Sequence, residues 1–401
     1  MNKNQKILKQ RKRHKTTKIC IIGGCGHVGI PLGLALASKD FEVTLLDINK
    51  DIVDTINLCK LPFIENGAEE LLKKHIGKNL IATTDVNKVK DQDVVVFVTG
   101  TPVDEHHNPK INYVLKIIKT YLPLMNRNQL VILRSTIFPG TTEIVDNMLK
   151  KEFGDSRLAF CPERIVQGDG IKEIFNLPQL ISATSDEAKK QATEIFSKIA
   201  SKTIDLEPKE AELAKLMTNT WRYIEFAIAN QFYMMTESAG LDFYKILGAM
   251  KDNYPRAKSF AHAGLTAGPC LFKDTMQLNA FCRQHFGLEQ AAAFINEGLP
   301  AFLVIQLEKK MGTLKNKKIA ILGMTFKADN DDIRESLAFK IKKELEFKMS
   351  EVIVSDVYLK DTVDYQNAIE IADGIILGVP HKEYRNLKID KPFVDCWNVW
   401  K

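Results

Sequence analysis

The stretch Gly264 to Asp274 reads Gly-Leu-Thr-Ala-Gly-Pro-Cys-Leu-Phe-Lys-Asp and carries the residues most able to do covalent chemistry. Gly268 and Pro269 break the preceding pattern, so a helix can start at Cys270. A thiol in the first turn of a helix meets free backbone N–H groups and the positive end of the dipole, which favour the thiolate. Lys273 and Asp274 then share a face with Cys270. The pattern suits a nucleophilic thiol, but read alone a single cysteine beside a loop is better explained as an ordinary buried one. Lys215 and Asn219, at i,i+4 in a long helical pattern, are adjacent on one face among bulky apolar residues. An amine and an amide so placed can hold an oxyanion, or form a solvated polar strip. Glu163 ends the strand-like run Leu158-Ala-Phe-Cys-Pro. It suits acid–base work or an ion pair.

A second chemistry is phosphate binding. Lys18 to Gly24 is a short apolar strand, followed by Gly24-x-Gly26-x-x-Gly29 and a helical pattern from Ile30 to Ser38. A second strand, Phe41 to Leu46, ends at Asp47. The glycines permit a tight turn and close backbone approach to a pyrophosphate, and the acid can bond both ribose hydroxyls. An acid there repels a 2′-phosphate, which predicts NAD. Further strands, Asp93 to Thr99 and Leu130 to Ser135, run into Thr99-Gly-Thr101-Pro102 and Ser135-Thr136. Hydroxyls at the carboxyl ends of parallel strands can reach a ligand or cap loops.

These sites need elements to hold them. Pro208 to Ala239 reads as one helix, about 32 residues and roughly 48 Å long. Its apolar positions extend beyond one face, which predicts burial on both sides, as a linking helix and a subunit interface. Leu288 to Met311 predicts another long helix, bent at Gly298-Leu-Pro300. The α/β pattern then restarts. Lys317 to Gly323 is a strand, Thr325 to Arg334 a polar loop and Ser336 to Phe347 a helix. Strands follow at Val352 to Asp356, Gly374 to Val379 and Phe393 to Asp395. Lys327 and Arg334 occupy the turn where the first half has glycines, and such a basic turn can hold a diphosphate. The fold class is therefore α/β: two Rossmann-like doubly wound domains joined by a long central helix. The expected segments are a basic tail (1–17), an NAD-binding domain (18–205), a central helical domain with the cysteine (206–305) and a second nucleotide-binding domain (306–401).

Composition is that of an ordinary globular chain of 401 residues, 45% hydrophobic and 26% charged. Residues 1–18 hold eight Lys or Arg and no acid, so the net charge of +6 becomes −2 for the body. The tail reads as a solvated extension rather than a contact to nucleic acid or an anionic surface, so no nucleic-acid partner and no stable membrane insertion are expected. It is not followed by a secretory signal, and no stretch suits a transmembrane span. Seven cysteines without Cys-x-x-Cys fit a reducing compartment, the cytoplasm. The eight histidines lack zinc-like spacing, and the pair His106-His107 reads as a solvated loop, so no metal is expected.

From residue 18 onward the chain resembles the UDP-glucose/GDP-mannose dehydrogenase family, the nucleotide-sugar 6-dehydrogenases. The resemblance rests on Gly24-x-Gly-x-x-Gly29, Thr101-Pro102, Ser135-Thr136, Pro162-Glu163, Lys215-x-x-x-Asn219, Gly268-Pro-Cys270-Leu-Phe-Lys-Asp274, Gly323-Met-Thr-Phe-Lys327 and Asp331-Asp-Ile-Arg334, in order. It implies two successive NAD-dependent oxidations of a sugar C6 hydroxyl to a uronic acid for polysaccharide synthesis. Cys270 matches the nucleophile that forms a thiohemiacetal and then a thioester. Lys215 and Asn219 match the oxyanion and proton-handling pair, and Asp274 and Thr136 match residues that position water and Lys215. Glu163 matches the acid–base carboxylate. Gly24, Gly26, His27, Val28, Gly29, Asp47, Thr101, Thr136, Lys273 and Arg334 match cofactor contacts. Glu163, Arg164, Lys215, Asn219, Arg256, Gly268 and Lys327 match the substrate site, with Arg256 entering the partner's site in a homodimer.

Several positions depart from the family pattern. His27 stands for a tyrosine, Ile52 for a basic residue near the ribose, and Gln167 for an acid after Pro-Glu. Cys161-Pro-Glu-Arg164 and Asn253-Tyr-Pro-Arg256 resemble the branch acting on N-acetylhexosamines, whereas Gly-Pro-Cys differs from its Gly-His-Cys. The substrate implied is UDP-N-acetylmannosamine or UDP-N-acetylglucosamine. The alternatives are UDP-glucose or a catalytically silent nucleotide-sugar-binding protein.

Overall fold

The computed structural model describes residues 16–106, 108–266, 268–283 and 287–400. Most of the basic tail (1–15) and His107 lie outside the described residues. The chain forms two compact units. The first runs to Thr101 and resumes over Ile111–Glu212; the second comprises Pro102–Lys110 and Leu213–Lys401.

In the first unit, eight strands form one sheet: β1 (Lys18–Ile22), β2 (Glu42–Leu46), β3 (Leu80–Thr83), β4 (Val94–Phe97), β5 (Leu130–Leu133), β6 (Leu158–Phe160), β7 (Gln179–Ala183) and β8 (Thr203–Asp205). Their order is β3-β2-β1-β4-β5-β6-β7-β8, parallel except for the β6–β7 pair. Alternate residues of one strand enter different cores. Ile19 and Ile21 join the cluster of helices α1 (Gly29–Ala37), α2 (Lys50–Asn57) and α3 (Ala68–His75), while Cys20 and Ile22 join that of α4 (Ile111–Tyr121) and α5 (Thr141–Phe153). Burial on both faces explains why the central strands read as continuous apolar runs. Helices α6 (Gly170–Asn176) and α7 (Asp186–Phe196) complete the first of these layers.

Helix α8 (Pro208–Ser238) starts in the first unit and continues into the second. Its start is fixed by Glu212, a 1% exposed carboxylate that accepts from the Gly140 and Thr142 amides at the beginning of α5 and from the Thr142 hydroxyl. The expectation of burial on both faces is not met within one chain. Leu216 and Ala227 are buried, but Met217, Trp221, Ile228, Phe232 and Met235 stay exposed on the other side.

The second unit adds α9 (Phe243–Lys251), α10 (Leu271–Phe281) and α11 (Gly287–Met311), an unbroken helix with Pro300 inside it. A parallel four-stranded sheet follows, in the order β10-β9-β11-β12: β9 (Lys318–Leu322), β10 (Glu351–Ser355), β11 (Gly374–Leu377) and β12 (Phe393–Val394). Helices α12 (Ala338–Phe347) and α13 (Tyr365–Ile371) lie between its strands in the chain. Ile319 and Ile321 pack with α11 and α12, and Ala320 and Leu322 enter the opposite core with Tyr384 and Trp400. The architecture is thus two doubly wound α/β sheets joined by a long helix. Among the described residues no helix is long and apolar enough to cross a membrane.

The loop that leads to the cysteine is clamped at Gly264. Asn230 of α8 donates to the Gly264 carbonyl and accepts from its amide, at 3.0 and 2.8 Å. A Cβ on Gly264 would meet the Trp397 ring at 2.1 Å, and that ring is itself held by its N–H bond to the Gly378 carbonyl. Gly264→Ala is expected to lower the unfolding free energy by about 1–3 kcal/mol, an overpacking cost measurable by urea titration.

Candidate active site

The glycine turn of the first unit divides its labour. A Cβ on Gly24 would lie 2.6 Å from the Ile21 carbonyl oxygen, and one on Gly29 would lie 2.3 Å from the Gly24 oxygen. Those two positions serve close packing of strand, turn and helix. At Gly26 the nearest atom is 3.9 Å away, so the backbone there stays open to a ligand. Val28 caps α1, and Ile30 N–H bonds back to Gly26 O. Asp47, half-buried at the end of β2, accepts from the amides of Cys25 and Asn49, both at 3.1 Å. Burial first and Asp47 second push the Cys25 thiol up to about 12, so this thiol stays neutral. The His27 ring lies 3.8 Å from that of Phe63. An open glycine, a helix N-terminus and an acid beside them fit NAD: Gly24, Gly26, His27, Val28 and Gly29 would hold the pyrophosphate and Asp47 the ribose.

At the ends of β4 and β5, the Ser135 hydroxyl donates to the Thr99 carbonyl at 2.6 Å, tying two strand ends together. Thr101 and Thr136 lie half-buried beside this tie. Arg134, one residue before Ser135, is 1% exposed and was not singled out by sequence reasoning. Its guanidinium pairs with Glu163, donates to Cys161 O and Gln179 Oε1, and lies 4.9 Å over the Phe196 ring. The other Glu163 oxygen accepts from the amides of Arg164 and Ile165, at 2.7 and 3.1 Å. Glu163 is therefore no surface ion pair. The Arg164 side chain donates to the Pro178 carbonyl.

In the second unit, α8 and α10 converge on one buried carboxylate. Asp274 is 0% exposed. Asn219 Nδ2 donates to its Oδ2 at 2.6 Å, and Lys273 Nζ lies 3.3 Å from its Oδ1. Lys215 and Asn219 are buried at 8% and 5% exposure. Cys270 is the N-cap of α10, and its carbonyl accepts from Asp274 N–H at 2.9 Å. Solvent reaches Cys270, but protein surrounds it densely. Burial and then the Asp274 charge raise the thiol above its ordinary range, against the lowering effect of Lys273, Lys215 and Arg334. The expectation of a resting thiolate is thus not met, because desolvation and the nearby carboxylate outweigh the cations.

The flanking residues follow from the same packing. Gly268 adopts φ +102°, and a Cβ there would strike the Phe326 ring at 2.6 Å. Arg334 grips Asp332 with both Nε and Nη2, at 3.0 and 2.6 Å. Lys327 sits half-buried in the β9–α12 loop, where its carbonyl accepts from the Thr325 hydroxyl at 2.9 Å. Arg256 is exposed and stacks 4.5 Å over the Tyr254 ring.

The glycine turn of the first unit, with its open backbone and adjacent acid, is that of a nicotinamide-dependent dehydrogenase. Three sequence profiles of the UDP-glucose/GDP-mannose dehydrogenase family match the chain: the NAD binding domain over 17–200, the central domain over 209–297 and the UDP binding domain over 320–401. The chain belongs to this family and is an NAD-dependent nucleotide-sugar dehydrogenase. It is 31% identical over 376 residues to the UDP-N-acetyl-D-mannosamine dehydrogenase of Pyrococcus horikoshii, covering 91% of this chain and 90% of that one. It is 31% identical over 380 residues to the enzyme of the same name from Methanocaldococcus jannaschii, covering 92% and 87%. Among solved structures, the UDP-D-ManNAc dehydrogenase of P. horikoshii superposes with a TM-score of 0.89 at 28% identity, covering 96% of each chain.

Two outcomes follow from this geometry. Alkylation of Cys270 by iodoacetamide, followed by mass spectrometry, should be slow at neutral pH and still climb above the ordinary thiol range; Asp274→Asn should move that profile to lower pH. Arg134→Met, which leaves the Glu163 carboxylate without its partner, should cost about 3 kcal/mol or more in a denaturant titration.

Proposed function

We propose that the protein oxidises the C6 hydroxyl of a UDP-N-acetylhexosamine, UDP-N-acetylmannosamine or UDP-N-acetylglucosamine, to the uronic acid used in polysaccharide synthesis. The observation that carries this reading is the buried carboxylate of Asp274, which gathers Asn219 and Lys273 beside Cys270. NAD, when bound, accepts one hydride in each of two oxidation steps.

The protein's residues supply the remainder. Loss of the first hydride, with the hydroxyl proton passed to solvent through Lys215, leaves an aldehyde. Cys270 Sγ bonds to C6, and the thiol proton moves to the aldehyde oxygen, giving a thiohemiacetal. Lys215 and Asn219 donate to that oxygen as charge develops. The second hydride leaves, the thiohemiacetal hydroxyl proton again passes to solvent through Lys215, and a thioester remains. Glu163 orients water and takes its proton as the water attacks the carbonyl carbon; the C–S bond then breaks and Cys270 leaves as thiolate. The cations that lower its pKa, Lys273, Lys215 and Arg334, favour that departure. Holding the aldehyde covalently prevents its escape between the two oxidations.

We also infer a homodimer. The exposed apolar residues of α8, from Met217 to Met235, support it, and Arg256 is the residue assigned to the partner's substrate site. The N-acetylhexosamine assignment rests on Cys161-Pro-Glu-Arg164 and Asn253-Tyr-Pro-Arg256 and on the likeness to the archaeal relatives.

NADH formation should be fastest with UDP-N-acetylmannosamine or UDP-N-acetylglucosamine among those two, UDP-glucose, UDP-galactose and GDP-mannose; a clear preference for UDP-glucose overturns the substrate assignment. Cys270→Ala should form no uronic acid, and normal turnover by that variant rules out the covalent route.

A further inference from the structure

The second strand of each sheet ends beside an acid, yet the two acids do different work. Asp47 stays half-exposed and takes one amide of its turn, that of Cys25. Asp356 is 4% exposed and takes two. Its Oδ2 accepts from the amides of Met324 and Thr325, at 2.6 and 3.2 Å, and from His381 Nε2 at 3.1 Å. Its Oδ1 accepts from Tyr358 N–H at 2.8 Å. The turn after β9 thus has an anion of its own at the two amides where a phosphate could otherwise sit. A diphosphate bound here must be held instead by side-chain charge, which singles out the loop carrying Lys327.

That loop is pinned through His381. The ring is 0% exposed and packs against Tyr358 and Tyr384, with centroids at 4.8 and 5.4 Å. Its Nδ1 accepts from the Asp329 amide at 2.9 Å. With Nδ1 an acceptor, Nε2 carries the proton and donates to Asp356. One imidazole therefore ties Asp329, two residues beyond Lys327, to the carboxylate that holds Met324 and Thr325. The Asp329 carboxylate adds a bond from Lys382 N–H at 2.9 Å, and its backbone sits at φ +57°. Lys327 is bracketed on both sides.

We propose that Asp356 and His381 are positioning residues for the uridine diphosphate: they fix the loop from Met324 to Asp329, and so aim Lys327, without touching the ligand. The inference rests on Lys327 as a UDP contact, within the segment that matches the family's UDP binding domain.

The test is calorimetric titration of the full-length protein with UDP and, separately, with NAD. His381→Phe removes both ring bonds; His381→Asn keeps an acceptor toward Asp329, and His381→Gln keeps a donor toward Asp356. UDP affinity should fall about 10- to 100-fold in the Phe variant and less in the other two, as misplacement of a binding group predicts. NAD affinity should not change, and KM for the sugar nucleotide should rise with kcat at saturation retained. Nitrogen chemical shifts of the wild-type ring should report a protonated Nε2 and a bare Nδ1. If the Phe variant does not fold, the Asn and Gln variants decide. Unchanged UDP affinity in folded variants, or equal loss for UDP and NAD, overturns the proposal. Lys327→Ala run alongside separates the two failures: if it too leaves UDP binding intact, the loop is not the UDP contact and the premise fails.

Discussion

The second unit depends on one buried charge. Asp274 lies in the first turn of α10 with no exposed surface, and a lone carboxylate there would cost several kcal/mol. It is tolerated because Asn219 supplies a hydrogen bond and Lys273 a countercharge. The consequence is geometric. An α8 side chain and an α10 side chain must meet at that carboxylate, which brings Lys215, one helical turn before Asn219, to the same region as Cys270. The Asn230–Gly264 pair and the contact of Gly268 with Phe326 hold the approach to the turn. A cluster from distant parts of the chain is thus set by a single desolvated group.

A similar economy appears in the two nucleotide-type turns. Both start from a strand–turn–helix unit beside a second strand ending in an acid, and in both the neighbouring strands are parallel, with the turns at their carboxyl ends. What differs is space. Gly26, four residues after β1, leaves its backbone uncovered, while the position four residues after β9 is Phe326, whose amide already bonds the Asp332 carbonyl at 2.9 Å. Where the backbone is open, a ligand can take the amides and the acid can remain near the surface. Where it is closed, the acid turns inward and the amides are spent on it.

Much of this was legible in the sequence, for physical reasons. The central strands are buried on both faces and read as unbroken apolar runs, and the glycine spacing locates the first turn. Pro208 announces the start of α8 to the residue. The misses are equally physical. β8 is a three-residue edge strand with no buried residue, so it has no apolar signature. The solvent-facing side of α8 carries Trp221 and Met235, and composition alone cannot separate an exposed apolar face from a core face. Arg134 and His381 act through partners far away in the chain, Glu163 and Asp356, and no local pattern marks such pairs. The charge state of Cys270 was not legible either, because desolvation depends on how densely the fold surrounds the thiol.

That charge state bears on the chemistry itself. A thiol that adds to an aldehyde and later leaves from a thioester faces opposing demands. A higher pKa makes the sulfur intrinsically more nucleophilic and a poorer leaving group; a lower one does the reverse. Around Cys270, burial and Asp274 push one way while Lys273, Lys215 and Arg334 push the other. In the proposed route, a neutral thiol would bring its own proton to the aldehyde oxygen, so addition would create no lasting charge in a desolvated place. Departure would then create a thiolate in the field of three cations. On that route the carboxylate that organises the cluster and the cations around it serve different halves of one reaction, and removing either would favour one half at the expense of the other.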